Sequence, residues 1–144
     1  KLNFPFSLNA LRVNKKMINT SIDFIKNKTR IKNNTFLLVG VTYKENIGDF
    51  RFSPSIDLAK KIKLLGGKIK IFDPYINEKI IKGITTCSLK EIKNFLNIII
   101  CVKHSEFRKI NFINIKKKNS NIFDLCGYFR RPKIKNKRLY FLGG

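Results

Sequence analysis

A chain of 144 residues, 43% apolar and 28% charged, can bury about two thirds of its unfolded surface in one domain. Its apolar residues fall in short blocks along the whole length, which argues against a disordered chain. A formal net charge of +22 raises nucleic acid or an anionic membrane surface as partners, yet the lysines interleave with Asn and Ile from end to end instead of clustering. The densest basic runs, INIKKKNSN and RRPKIKNKR, are short and lack the regularly interleaved aromatics of a single-strand binding platform. Cys87, Cys101 and Cys126 show no CxxC spacing, so reduced, partly buried thiols in a cytoplasmic protein are expected. No signal peptide is visible, and no apolar run approaches the roughly 20 residues that span a bilayer. The chain begins at Lys1 rather than Met, as a fragment of a longer protein would.

In chain order, Leu11, Ile18, Ile22 and Ile25 recur at helical spacing and predict an amphipathic helix over residues 9–27, capped by Asn9 or Ser7. The polar stretch KTRIKNNT reads as a linker. FLLVGV (36–41) is continuously apolar, as a parallel strand covered on both faces should be. After a charged loop, Ser53 and Pro54 form a helix start, Asp57 sits in the first turn where the helix dipole favours an anion, and Gly66-Gly67 ends the helix. KIKIFDP reads as a second strand. LKEIKNF (89–95) predicts a short helix, NIIICV (97–102) a buried strand, and NIFDL (121–125) and RLYFL (138–142) further strands. The alternation is that of an α/β fold with a doubly wound, mostly parallel Rossmann-like sheet preceded by one N-terminal helix. Such sheets bind ligands beyond the carboxyl ends of their strands where strand order reverses, and the loop 42–54 follows the first strand.

That loop, GVTYKENIGDFRFSPS, carries Lys44 and Arg51 beside Asn46 and Asp49. A lysine point charge and an arginine fork at the mouth of a parallel sheet suit a phosphate or carboxylate ligand. The competing expectation is a solvated loop in which Asp49 pairs with Arg51 or Lys44. Neither GxxxxGK nor GxGxxG follows the first strand. The single histidine, His104, has no cluster of metal-spaced partners, which leaves metal catalysis without ligands and favours a capping or packing role for His104 over a catalytic one.

GVTYKENIGDFRFSPS followed by IKIFDPY closely resembles the C-terminal domain of the UDP-glucose/GDP-mannose dehydrogenase family, whose pattern is Gly-x-x-[YF]-K-x-[ND]-x-x-D-x-R-x-S-P and then Asp-Pro-Tyr after the next strand. The likeness extends through IIICVKHSEF to IFDLCGYF, about residues 34–130. Asp73-Pro74-Tyr75 and the His-Ser-x-Phe step are similar to the UDP-N-acetyl-hexosamine 6-dehydrogenase branch. The resemblance implies a UDP-sugar site that includes Tyr43 and Lys44, and an approach of Arg51 to NAD held by a preceding domain. It also implies that residues 1–33 end a central dimerisation helix and linker, with the nucleotide-sugar domain in 34–144 and a homodimer or the remaining chain as partner.

Two departures follow. The family's late Asp-x-Arg motif falls on Asp124-Leu125-Cys126, where the substrate-binding arginine is a cysteine; losing a charge-assisted hydrogen bond costs about 1.5 to 3 kcal/mol, and Arg130 and Arg131 are candidate replacements. The segment with the family's catalytic cysteine and the NAD fingerprint domain are not in these residues, so no catalytic residue is assigned. The expected function is the substrate-binding domain of an NAD-dependent nucleotide-sugar 6-dehydrogenase. The alternatives are a non-catalytic UDP-sugar- or partner-binding remnant and a basic nucleic-acid-binding domain.

Overall fold

The computed structural model describes residues 5–116, 118–129 and 138–142, with side chains at Val13 and from Lys16 onward. In chain order the elements are α1 (Pro5–Lys26), β1 (Thr35–Val39), α2 (Pro54–Leu64), β2 (Lys68–Phe72), β3 (Ile80–Ile81), β4 (Ile84–Thr85), β5 (Asn97–Ile100), α3 (Phe112–Ile115), β6 (Asn121–Asp124) and β7 (Leu139–Phe141). Two 3-10 turns, Leu89–Asn94 and Ser105–Lys109, precede β5 and α3.

The continuous apolar runs become the central strands because both of their faces are covered. Five strands form one sheet in the order β2-β1-β5-β6-β7, with every neighbouring pair parallel. Phe36, Leu38, Ile71, Ile99 and Phe123 point to the face covered by α1 and α2, where they pack with Ile22, Ile25, Leu58, Ala59 and Ile62. Leu37, Val39, Ile98, Ile100 and Ile122 point to the other face, closed by Ile92, Phe95, Phe107 and Phe112 from the 3-10 turns and α3. The doubly wound architecture is therefore present, with one face covered by helices proper and the other by short turns.

Several boundaries differ from the expected ones for local reasons. Helix α1 starts at Pro5, a residue suited to the first helical turn, so Ser7 and Asn9 lie within the helix instead of capping it. The side chain of Leu11 lies outside the described part. Strand β1 stops at Val39 because Gly40 turns the chain at φ +73°. Residues 89–94 form a 3-10 turn instead of an α-helix. Around Lys82 (φ +48°) and Gly83 (φ +78°) the chain makes a β3–β4 hairpin that alternation alone does not announce. The Ser53 cap is as expected: its side chain accepts from the Ser55 amide with Pro54 at the helix start. No helix among the described residues is long and apolar enough to cross a membrane.

The topology positions the candidate site. From β1 the chain crosses to β2 on one side and later returns to β5 on the other, so strand order reverses between β1 and β5. The last residues of the five strands stand level: Phe72 pairs with Val39, Val39 with Ile100, Ile100 with Asp124 and Asp124 with Phe141. The loops that follow share one edge. Gly40 lets two of them meet, since a Cβ there would lie 2.4 Å from the Val102 carbonyl oxygen. Gly40→Ala combines that collision with left-handed backbone strain, and a loss of about 2 kcal/mol or more in unfolding free energy is expected, seen as a lower urea midpoint; an unchanged midpoint would remove Gly40 from the determinants of this edge.

Candidate ligand cleft at the strand ends

The charged loop after β1 is anchored by a buried hydrogen bond between an imidazole and a carboxylate. Asp73, just past β2, places Oδ2 3.0 Å from Nε2 of His104, just past β5, and both side chains are wholly buried. The same oxygen accepts from the amides of Val41 (2.7 Å) and Thr42 (3.2 Å), while Oδ1 accepts from the Tyr75 amide at 3.0 Å. Nδ1 of His104 accepts from the Asn46 amide at 2.8 Å, which assigns the proton to Nε2 and makes His104 the donor to Asp73. Asn46 takes the left-handed conformation (φ +61°), a turn that asparagine tolerates well. Its Oδ1 accepts from the amide and hydroxyl of Ser105 (2.8 and 2.9 Å). Three strand ends are thus tied through two side chains, and His104 has the packing role that its sequence context favours.

Burial alone would oppose ionisation of Asp73, but hydrogen bonds from His104 and the Tyr75 and Val41 amides outweigh it and hold the carboxyl below its ordinary value. This is the hydrogen-bonded carboxylate pattern, in which charge is stabilised by donors that stay fixed.

With its root fixed, the loop presents Tyr43 and Lys44 outward. Both line an open cleft of about 510 Å³ together with Glu45, Ile47, Cys101, Val102, Lys103 and Cys126. Lys44 is exposed, and its side chain has no hydrogen-bond or ion-pair partner among the described residues. Arg51 lies elsewhere. Its guanidinium grips Asp49 by Nε–H to Oδ1 (3.0 Å) and Nη2–H to Oδ2 (2.9 Å), the pairing expected of a solvated loop. It lines a separate hollow of about 440 Å³ with Phe50, Phe52, Ser53, Ile56, Asp57, Lys60 and Lys82. Phe52, next to it, is 94% exposed at φ +58°, a costly conformation for a bulky residue. The structure therefore brings Tyr43, Lys44 and Cys126 together and keeps Arg51 apart.

Cys126 sits on the cleft wall in a loop held by Asp124, whose carboxylate accepts from the amides of Cys126 (3.2 Å), Tyr128 (2.9 Å) and Phe129 (2.8 Å). Burial and the nearby Asp124 carboxylate push the Cys126 thiol up to about 12; burial likewise raises Cys87 to about 11 and Cys101 further. All three are free thiols that stay protonated at neutral pH and are poor nucleophiles. Arg130 and Arg131 lie outside the described residues. Among the described residues no cluster of three or more His, Cys, Asp or Glu could hold a metal ion.

A depressed carboxyl stabilises the fold above its unfolded value, near the ordinary 3.8, and loses that contribution as pH falls through the lower folded value. Asp73→Asn is expected to lose about 1 to 3 kcal/mol at neutral pH, because an amide is a weaker acceptor than the carboxylate for the His104 imidazole and the backbone amides. Urea midpoints of wild type and variant should converge as pH falls from about 6 to about 2. A constant offset over that range would show that the charge on Asp73 contributes nothing.

Comparison with known proteins identifies the setting. Residues 37–131 match the model of the UDP-glucose/GDP-mannose dehydrogenase family, UDP binding domain. The UDP-N-acetyl-D-glucosamine 6-dehydrogenase of Salmonella typhi is 28% identical over 95 residues, which is 64% of this chain and 22% of that protein. The UDP-N-acetyl-D-mannosamine dehydrogenase of Methanococcus maripaludis is 30% identical over 116 residues, 79% of this chain and 23% of that protein. Among solved structures, the UDP-D-ManNAc dehydrogenase of Pyrococcus horikoshii superposes with a TM-score of 0.76 at 20% identity, over 99% of this chain and 34% of its own. A ternary complex of the GDP-mannose dehydrogenase of Pseudomonas aeruginosa gives 0.69 at 20% identity, over 96% and 34%. The chain thus spans less than a quarter of these curated relatives and about a third of these solved chains. With two thirds of its residues inside the matched domain, the chain belongs to the UDP-glucose/GDP-mannose dehydrogenase family, as that family's UDP binding domain.

Proposed function

We propose that this chain is the substrate-binding part of a nucleotide-sugar 6-dehydrogenase, holding a UDP-sugar while a preceding NAD domain and a catalytic cysteine outside these residues oxidise its C6 alcohol to the uronic acid, a polysaccharide precursor. The observation that carries this reading is the cleft at the strand-order reversal, where Tyr43 and the unpaired Lys44 stand side by side inside the matched segment. Tyr43, 55% exposed, offers a ring face for a base or sugar, and Lys44 offers three donors to a phosphate.

The surroundings of Arg51 fit an anionic cofactor group, since Lys60 and Lys82 line the same hollow and the exposed Arg51–Asp49 pair is weak enough in water to exchange partners. Arg51 would hold NAD there, and NAD when bound supplies the hydride acceptor. Residues 1–33 would end the helix that joins this domain to the rest of the chain or to a dimer partner, with 34–144 as the nucleotide-sugar domain in the cytoplasm. Val13 and Met17 on α1 are 58% and 50% exposed, which supports a covered face in the larger assembly.

Calorimetric titration with UDP should give saturable binding that falls about tenfold or more for Lys44→Ala, the size of one charge-assisted hydrogen bond. Absence of UDP binding, with steeply salt-dependent binding to a DNA duplex instead, would replace this reading by that of a basic nucleic-acid-binding domain.

A further inference from the structure

The cleft of Tyr43 and Lys44 does not end at Cys126. A second hollow of about 280 Å³, lined by Glu45, Lys103, His104, Arg108, Gly127 and Tyr128, shares Glu45 and Lys103 with it. The two hollows adjoin at these shared residues, along the carboxyl ends of β1, β5 and β6. Three cations line them, Lys44, Lys103 and Arg108, against the single carboxylate of Glu45.

Resting on the UDP-sugar reading above, we propose that Arg108 and Lys103, from the segment after β5, supply to the ligand's diphosphate the positive charge that position 126 lacks. Arg108 lines the same hollow as Gly127 and Tyr128, the residues directly after Cys126, so its guanidinium serves the same stretch of groove from the neighbouring strand's loop.

Both cations ride on fixed backbone. Between them His104 is locked to Asp73 and Asn46. The turn that bears Arg108 is pinned by Phe107, which is wholly buried, meets the His104 ring edge-on at 5.1 Å, and accepts the Tyr128 hydroxyl hydrogen at its carbonyl (2.6 Å). A rigid turn leaves only the side-chain rotamers of Arg108 to be ordered on binding, and its guanidinium fork matches phosphate oxygens.

Arg108 itself has no hydrogen-bond or ion-pair partner among the described residues. Among the described residues Lys103 forms one ion pair, with Glu45 at 3.8 Å, both side chains being partly exposed. Such a loose pair is worth little in water, and a diphosphate would displace the carboxylate. Glu45 is thus a built-in competitor for the ligand's place, and removing its charge should favour binding.

The test is calorimetric titration of the whole chain with UDP and with uridine, for wild type, Arg108→Ala, Lys103→Ala, Glu45→Gln, Cys126→Arg and the double variant Arg108→Ala/Cys126→Arg, with folding checked by circular dichroism. UDP affinity should fall about tenfold for Arg108→Ala and for Lys103→Ala and rise for Glu45→Gln, with uridine affinity unchanged throughout. The double variant should recover most of the loss, because the charge returns to the same stretch from position 126. Wild-type UDP binding that Arg108→Ala leaves intact would overturn this assignment while sparing the UDP reading. Absence of UDP binding in wild type would overturn both.

Discussion

Everything the cleft does depends on one buried contact, Nε2 of His104 against Oδ2 of Asp73. A charge inside a protein survives only where enough donors face it, and here the carboxylate takes hydrogen bonds from one imidazole and three backbone amides. The cost of burial is met locally, and the result is geometric. The ends of β1, β2 and β5 are held together at the place where a parallel sheet would otherwise splay three independent loops.

That constraint explains why a loop so charged can be ordered. The polar residues at its root turn inward and are satisfied: Thr42 donates its hydroxyl hydrogen to the Lys44 carbonyl, and Asn46 bridges to Ser105. The cations at its tip turn outward. Gly48 lets the loop lie close to the segment after β2, since a Cβ there would lie 2.7 Å from the Tyr75 carbonyl oxygen. The Asp124 carboxylate organises the loop after β6 in the same way, accepting three amides in succession. Two carboxylates, each wrapped by backbone donors, thus frame the groove while its lysines and arginine remain available to an anion.

Much of this was legible locally. The apolar runs, the Ser53-Pro54 helix start and the Gly66-Gly67 stop carry their instructions within a few residues, and the structure follows them. The family motif was legible for the same reason, being contiguous. The β3–β4 hairpin was not, because its strands are two residues long and its turn uses Lys82 in a conformation lysine rarely adopts. The 3-10 turn at 89–94 escaped because six residues contain too few turns to separate a 3-10 from an α period. Asp73 and His104 lie 31 residues apart, and no local pattern signals that they will meet. Arg51 and Lys44 are close in sequence yet face different hollows, since Asn46 and Phe52 both reverse the backbone between or beside them. Arg108 carries no signal of its own; it gains a role only through the loop that folds beside it.

On the proposed function, the edge between β1, β5 and β6 is a nucleoside-diphosphate groove. The most direct measurement is a backbone amide chemical-shift map of the labelled chain during titration with UDP. The expected result is saturable shifts at Tyr43, Lys44, Lys103, Arg108 and Cys126, with α1 and the β3–β4 hairpin unaffected. Shifts confined to other surfaces, or none at millimolar UDP, would contradict it.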